Sequence, residues 1–265
     1  MKHLIAVGAC YLDTILTNVT STAVPFFPSE DSKLRATSLN IRRGGNCPNS
    51  LQVLEQLLSE HDTLKLHLVS PLPAAASSAT QRVISSFGAQ SNIDFNHCVY
   101  REESTEAASS YIIRSEASGS RTLVNYNDLL EMTEDEFGNI ARSFNPDQEI
   151  WWHFEGRIPD TIQSCIRLLR NVLPKATISV EIEKPGREGL PELAAEADVV
   201  FYSRSWAEYA LGRILKGKRA ARQRRHAVQS LRTQKPRDAG PRRFAVVAIW
   251  AAGLFSNGTR DRDKV

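Results

Sequence analysis

Nine residues, Arg42-Arg43-Gly44-Gly45-Asn46-Cys47-Pro48-Asn49-Ser50, gather side chains suited to a ligand rich in hydroxyl groups. A hydroxyl both donates and accepts hydrogen bonds. A short carboxylate accepts from two hydroxyls at once, asparagine offers a donor and an acceptor, and glycine lets backbone N–H groups come close. Asp13 and Asp31, upstream, supply the carboxylates, and Gly45, Asn46 and Asn49 the amide and backbone groups. Gly44-Gly45-Asn46 at the start of a helix would add N–H groups directed at a bound oxygen. The competing account makes Gly-Gly-Asn a plain turn and Asp13 a loop acid, and spacing alone leaves both open.

Four further groups invite chemistry. Arg121, after Gly119-Ser120, could meet a phosphate, because a guanidinium fork matches its oxygens; a solvated edge charge is the alternative. His153-Phe154-Glu155-Gly156-Arg157 ends an apolar run with an acid, a glycine and a base, where either a site or an internal ion pair from Glu155 to Arg157 or Lys184 would fit. Glu181 and Glu183, two apart, share a face of a strand end and read as a solvated end rather than a metal or nucleotide site. Between Lys216 and Arg243, eleven Lys or Arg accompany one acid, Asp238. No aromatic residues are interleaved there for base stacking, so a solvated helix is preferred to nucleic-acid binding. The sequence has no Walker A loop, no G-x-G-x-x-G and no G-x-S-x-G, and its histidines lack metal-ligand spacing.

These groups need a frame. Residues 3–9 form a continuous apolar run, the kind of strand buried on both faces of a parallel sheet. Asp13 lies just beyond its carboxyl end, where α/β folds bind ligands. Residues 35–41 read as another strand. Leu51, Leu54 and Leu58 recur at helical spacing, Val53 and Leu57 widen that stripe, Asn46 stands in the N-cap region and Pro48 in the first turn. A strand at 64–69 and a helix around 79–88 follow. Strands at 110–114 and 121–126 enclose the turn composition Glu116-Ala-Ser-Gly-Ser120 and predict a hairpin. Then strands at 150–154, 177–182, 198–202 and 244–249 alternate with helices over Ile162–Leu169, over Leu190–Glu196 and from Trp206. Such alternation predicts a parallel sheet with crossover helices on both faces. The early hairpins, about 14–43 and 108–127, are expected to form a small β lid within one domain spanning 1–265.

The bulk properties exclude several classes. With 42% hydrophobic and 24% charged residues the 265-residue chain is of ordinary globular composition. No apolar run approaches the roughly eighteen residues that span a bilayer. Four scattered cysteines, without a C-x-x-C pair, suit a reducing compartment and predict a cytoplasmic protein. The net charge of +3 is local in origin, since residues outside 216–243 sum to −7.

Taken in order, seven phrases resemble the PfkB (ribokinase-like) carbohydrate kinases, and within them the ketohexokinase branch. They are Tyr11-Leu-Asp13, Ser29-Glu-Asp31-Ser32, Arg43-Gly-Gly-Asn-Cys-Pro-Asn-Ser50, Glu116-Ala-Ser-Gly-Ser-Arg-Thr122, His153-Phe-Glu-Gly-Arg157, Val180-Glu-Ile-Glu-Lys-Pro185 and Asp198-Val-Val-Phe-Tyr-Ser203. The resemblance implies a ribokinase-like α/β fold, a central mostly parallel sheet flanked by helices with a small β lid. It also implies ATP- and Mg-dependent phosphorylation of a sugar hydroxyl, on a ketohexose such as fructose at the 1-position. Asp13, Gly45, Asn46 and Asn49 then correspond to sugar-hydroxyl ligands, and Asp31 to a lid carboxylate reaching over the sugar. Arg121 corresponds to the arginine near the nucleotide phosphates, and Ala251-Ala252-Gly253 to the segment beside ATP. Homodimerisation would run through the lid strands. Two departures are visible. Ser203-Arg204-Ser205-Trp206 stands where other branches carry an Asn-x-x-Glu that arranges magnesium, so metal ligands are left unassigned. No Gly-Ala-Gly-Asp loop, the source of the family's catalytic aspartate, occurs in the 265 residues. The reading expects C-terminal elements to be missing and residues 1–265 to be inactive as a kinase, or alternatively to act as a sugar-binding or dimerising pseudokinase.

Overall fold

Unbroken apolar sequence makes the central strands. Ile5 and Val7 of β1 (Lys2–Val7) point to one core and Ala6 to the other, the alternation of a strand covered on both faces. The computed structural model describes residues 2–17, 24, 26–59, 62–216 and 244–246. Six parallel strands form the main sheet, in the order β12-β11-β10-β9-β1-β4, where β4 is Leu64–Val69, β9 Glu149–Glu155, β10 Thr177–Ile182, β11 Val199–Tyr202 and β12 Phe244–Val246. The mostly parallel α/β sheet read from the alternation is therefore present. Helices α1 (Asn46–Leu57) and α2 (Ser78–Ser85) contribute to the core containing Ala6, Leu66 and Leu68. Helices α3 (Glu134–Arg142), α4 (Pro159–Val172) and α5 (Leu190–Glu196) contribute to the core around Trp152, Phe154, Ile178 and Val180. Helix α6 (Arg204–Lys216) follows β11, and its start is held by Ser203, whose Oγ accepts from the Trp206 N–H at 3.0 Å. None of the helices, among the described residues, is long and apolar enough to cross a membrane.

A second sheet of four strands has the order β3-β2-β7-β8, with β2 Tyr11–Thr17, β3 Ser38–Gly44, β7 Ser109–Arg114 and β8 Arg121–Tyr126. β7 and β8 form the expected hairpin. Register fixes its two faces. Asp13 lies beside Arg42 and Ser110, and Ser110 beside Asn125, so these side chains share one face with Arg121, two strand steps of two from Asn125. Leu39, Ile41, Tyr111 and Val124 occupy the other face, and all are exposed. A short pair, β5 (Pro71–Pro73) with β6 (Val99–Arg101), continues from β4.

Several expectations are corrected. Asp13 sits within strand β2, not in a loop, because the chain turns straight from β1 into the second sheet. Asn46 is the first helical residue and Gly45 the cap. Val53 and Leu57 are exposed, so the buried stripe of α1 narrows to Cys47, Pro48 and Leu51 with Leu54 at its margin. The third strand begins at Ser38 rather than Arg35. Helix α3 was not anticipated, although Thr133 and Glu136 complete a capping box at its start. The four cysteines are free and buried.

Candidate functional site

The carboxyl ends of β1 and β9 and the junction from β3 into α1 meet at one edge of the main sheet. β1 has β4 on one side and β9 on the other, the strand-order reversal at which open α/β sheets form a crevice. A cleft there is lined by Ala9, Cys10, Pro71, Ala108, Asn127, Leu129, Glu131 and Arg157. All but Pro71, which opens β5, follow a strand or join two of them.

Two glycines make the junction possible. Gly45 has φ of 107°, and a Cβ there would collide with the Ala9 carbonyl oxygen; only glycine takes this backbone without strain. At Gly44 a Cβ would stand 2.5 Å from Asp13 Oδ2, so the glycine makes room for the Asp13 carboxylate. Helix α1 then begins with no side-chain cap and no acidic residue in its first turn, leaving its leading N–H groups uncapped by side chains. The whole turn is held by Arg43. Its guanidinium donates to Ser86 Oγ (3.0 Å), Asn49 Oδ1 (3.0 Å) and Gln52 Oε1 (2.6 Å) and lies 3.8 Å over the Phe87 ring. Burial lowers its pKa, and neutral oxygens with an aromatic face take the place of a counter-ion.

Two acidic groups face this edge from different sheets. Burial pushes the Asp13 carboxyl up, opposed by the Ser110 hydroxyl and by the charges of Arg42 and Arg121. Across the edge, Glu155 and Glu181 are register neighbours at the ends of β9 and β10. Glu155 Oε2 accepts from the Ala9 N–H at 2.8 Å, and Asn46 Nδ2 lies 3.1 Å and 3.2 Å from the two Glu181 oxygens. Burial, then the neighbouring charges of Glu155 and Glu183, raise Glu181 to about 7, and Glu155 is raised mainly by burial. The pair therefore holds an acidic proton near neutrality and can both donate to and accept from a hydroxyl.

The residues singled out from sequence fall as follows. Asp13, Gly45 and Asn46 lie at this edge, and Arg121 shares the Asp13 face of the second sheet. Asn49 is engaged by Arg43. Asp31 is exposed, with φ of 57°, and makes none of the hydrogen bonds that tie the edge together. Ala251, Ala252 and Gly253 lie outside the described residues, as does the basic segment after Lys216. The anticipated ion pair from Glu155 to Arg157 does not form; both Arg157 terminal nitrogens engage Glu131 instead. Nor is Glu181 a solvated end, since it is folded in behind Asn46. From sequence, Glu155 and Glu181 are weighed as site candidates without being selected, and Ser110 is not singled out. For the two glutamates the available signal was position, an acid at the carboxyl end of each of two successive parallel strands.

Comparison with known proteins fits this geometry. Three solved structures share the architecture over most of the chain. The ribokinase of Giardia lamblia aligns with a TM-score of 0.62 at 12% identity, covering 81% of this chain and 66% of its own. The Arabidopsis thaliana ribokinase, complexed with ribose and ATP, gives 0.58 at 12% identity and coverage of 86% and 67%. The Escherichia coli phosphofructokinase-2, in complex with fructose-6-phosphate, gives 0.58 at 17% and coverage of 87% and 70%. The fold is ribokinase-like. Its sequence is 28% identical to mouse (Mus musculus) ketohexokinase over 218 residues, which is 78% of this chain and 65% of that enzyme. It thus spans somewhat under two thirds of the length of that relative. No family model matches the chain. The likeness to ketohexokinase supports the PfkB resemblance read from the ordered phrases.

Proposed function

We propose that this chain forms the sugar-binding part of an ATP-dependent carbohydrate kinase, with a ketohexose such as fructose as substrate. One observation carries the reading. The Asp13 carboxylate is seated against Gly44 and faces Ser110, Arg42 and Arg121 on the inner side of the second sheet. A half-buried carboxylate, an uncapped helix start and an amide–carboxylate pair together supply acceptors and donors suited to hydroxyl groups. In this reading Asp13, Gly45 and Asn46 contact the sugar. Asn49 holds the turn through Arg43 and presents its amide to the ligand, and Asp31 closes over the sugar from the second sheet, which acts as a lid. Arg121 faces the phosphates of ATP.

Phosphoryl transfer is carried mostly by positioning and charge stabilisation. Magnesium would enter with the nucleotide phosphates, as it commonly does. No three carboxylates converge into a cage for it among the described residues. The 265 residues hold no Gly-Ala-Gly-Asp, so within them nothing supplies the family's base. Residues 1–265 on their own are expected to bind sugar without turning ATP over, which is also how a sugar-binding pseudokinase would behave. The exposed apolar face of Leu39, Ile41, Tyr111 and Val124 supports a homodimer through the lid strands, a proposal that the assembly state of a Val124→Asp variant tests. The protein is proposed to act in the cytoplasm.

Calorimetry with fructose and with ribose, each with and without ATP, tests the main reading. The expected result is saturable fructose binding that Asp13→Asn weakens at least about tenfold, the loss of one charge-assisted hydrogen bond. Absence of binding to either sugar, or binding that Asp13→Asn leaves unchanged, would overturn it. Fructose-dependent ADP release by purified 1–265 would sink the expectation of inactivity.

A further inference from the structure

A second cluster of side chains lies on the main sheet, and the sugar reading leaves it unused. His3, the second residue of β1, faces His67 of β4, their ring nitrogens Nδ1 and Nε2 3.0 Å apart and the rings stacked. Both side chains are nearly inaccessible, at 8% and 3% exposure. His97 lies against His67, and Phe144 packs on all three rings. Asp94 is bridged to His67 through the backbone, its N–H donating to Leu66 O at 2.9 Å and its own carbonyl accepting from Leu68 N–H at 3.0 Å. One ligand atom each from His67, Asp94 and His97 lies within 4.8 Å of the others.

The anomaly is His67 Nδ1. It is buried and has no hydrogen-bond partner, yet it sits 3.5 Å from Asp94 Oδ2. That separation exceeds the 2.7–3.2 Å or so of an N–H···O bond, so a proton on Nδ1 does not bridge it. A bare lone pair facing a carboxylate would be repelled. A cation between the two atoms resolves both problems. Two ligands bonded at about 2.0–2.1 Å to a tetrahedral ion stand roughly 3.3 Å apart, close to the spacing seen. We infer that His67 Nδ1, Asp94 and His97 bind a divalent transition-metal cation of the zinc class, with water completing the shell.

The supporting chemistry is consistent. Nitrogen and carboxylate oxygen form a borderline donor set, the kind zinc takes. With Nδ1 on the ion, His67 would carry its proton on Nε2, 3.0 Å from His3 Nδ1, the kind of hydrogen bond that fixes the tautomer and orientation of a ligating histidine. Phe144 supplies an apolar wall, while Asp94 and His97 are partly exposed and give the ion a route in. All four cysteines are buried, and Cys98, which follows His97, turns its thiol to the Leu68 carbonyl at 3.2 Å. The ion would clip β4 to the 94–97 loop, a structural role on the apolar core side of the sheet.

Titration of untagged, metal-free 1–265 with Zn2+, followed by calorimetry and thermal unfolding, tests the site, and Co2+ serves as a spectroscopic probe. The expected result is one ion per chain, a rise in unfolding temperature and cobalt absorption typical of a four-coordinate centre. Asp94→Asn and His97→Ala, both at partly exposed positions, are expected to leave the chain folded and to weaken binding at least about tenfold. A double variant at two histidines that are not among the proposed ligands, His61→Gln with His226→Gln, is expected to retain it. No saturable binding, or binding lost in the double variant and kept in His97→Ala, would overturn the inference. Sugar calorimetry on the same samples keeps the two proposals separate, because neither Asp94 nor His97 belongs to the sugar site.

Discussion

The two sheets carry their acids and their apolar surface in opposite ways. The parallel sheet is covered on both faces: Trp152, Phe154, Ile178 and Val180 are fully buried in one core and Leu68 in the other. Its acids, Glu155 and Glu181, are met by neutral groups, a backbone N–H and an asparagine amide. The second sheet leaves Leu39, Ile41, Tyr111 and Val124 open, and its acid, Asp13, is met by a hydroxyl and the fields of two arginines. One sheet is thus a packed floor whose burial favours the protonated acids, and the other a charged sheet whose outer face is left uncovered by the described residues. A ligand placed between them would meet hydrogen-bond donors from below and cations from above.

The sharpest way to break this comparison is through the floor. Phe154→Ala is expected to cost about 3–5 kcal/mol, the transfer and cavity terms of a fully buried aromatic, measured by urea unfolding. A loss under about 1 kcal/mol would mean that the parallel sheet is not the packed partner.

A smaller effect concerns protons. Glu181, raised from an ordinary 4.5 to about 7 in the fold, binds its proton more tightly folded than unfolded. Its contribution is therefore full below pH 4.5 and is lost as pH rises through 7. The integrated loss is on the order of 3 kcal/mol at most. Glu181→Gln keeps an acceptor for Asn46 and has nothing to titrate, so its stability is expected to fall less than that of the native chain between pH 5 and pH 8. Equal pH dependence of the two proteins would remove Glu181 as the proton holder.

The smallest expected change is on the outer face of the second sheet. Val124→Asp alters an exposed position, so urea stability at low protein concentration is expected to move by no more than about 0.5 kcal/mol. Light scattering at high concentration is where the variant should differ, with the native chain dimeric and the variant monomeric. Identical assembly states would detach the apolar face from dimerisation.

Much of the frame was legible because hydrophobic periodicity is local. The runs at 64–69, 177–182 and 190–196 become β4, β10 and α5 at those same limits. Helix α3 was equally readable in its Thr133–Glu136 capping box, and was passed over because its apolar positions, Phe137 and Ala141, are sparse. The site was legible only in part. Gly44-Gly45-Asn46 announces a turn with unusual backbone demands, but nothing local says that Gly45 must avoid the Ala9 carbonyl or that Gly44 must admit Asp13.

By itself, then, the sequence determined the alternation of strands and helices, the hairpin at 109–126, the glycine turn and the family resemblance, all carried by residues near one another in the chain. Tertiary structure decided which acids share the edge. Glu181 reaches Asn46 across 135 positions and Glu155 reaches Ala9 across 146. It also decided that His3, His67 and His97 converge on Phe144. Parallel pairing brings strand ends together only after long crossovers, so the partners of a strand-end acid cannot be read from its neighbours in sequence.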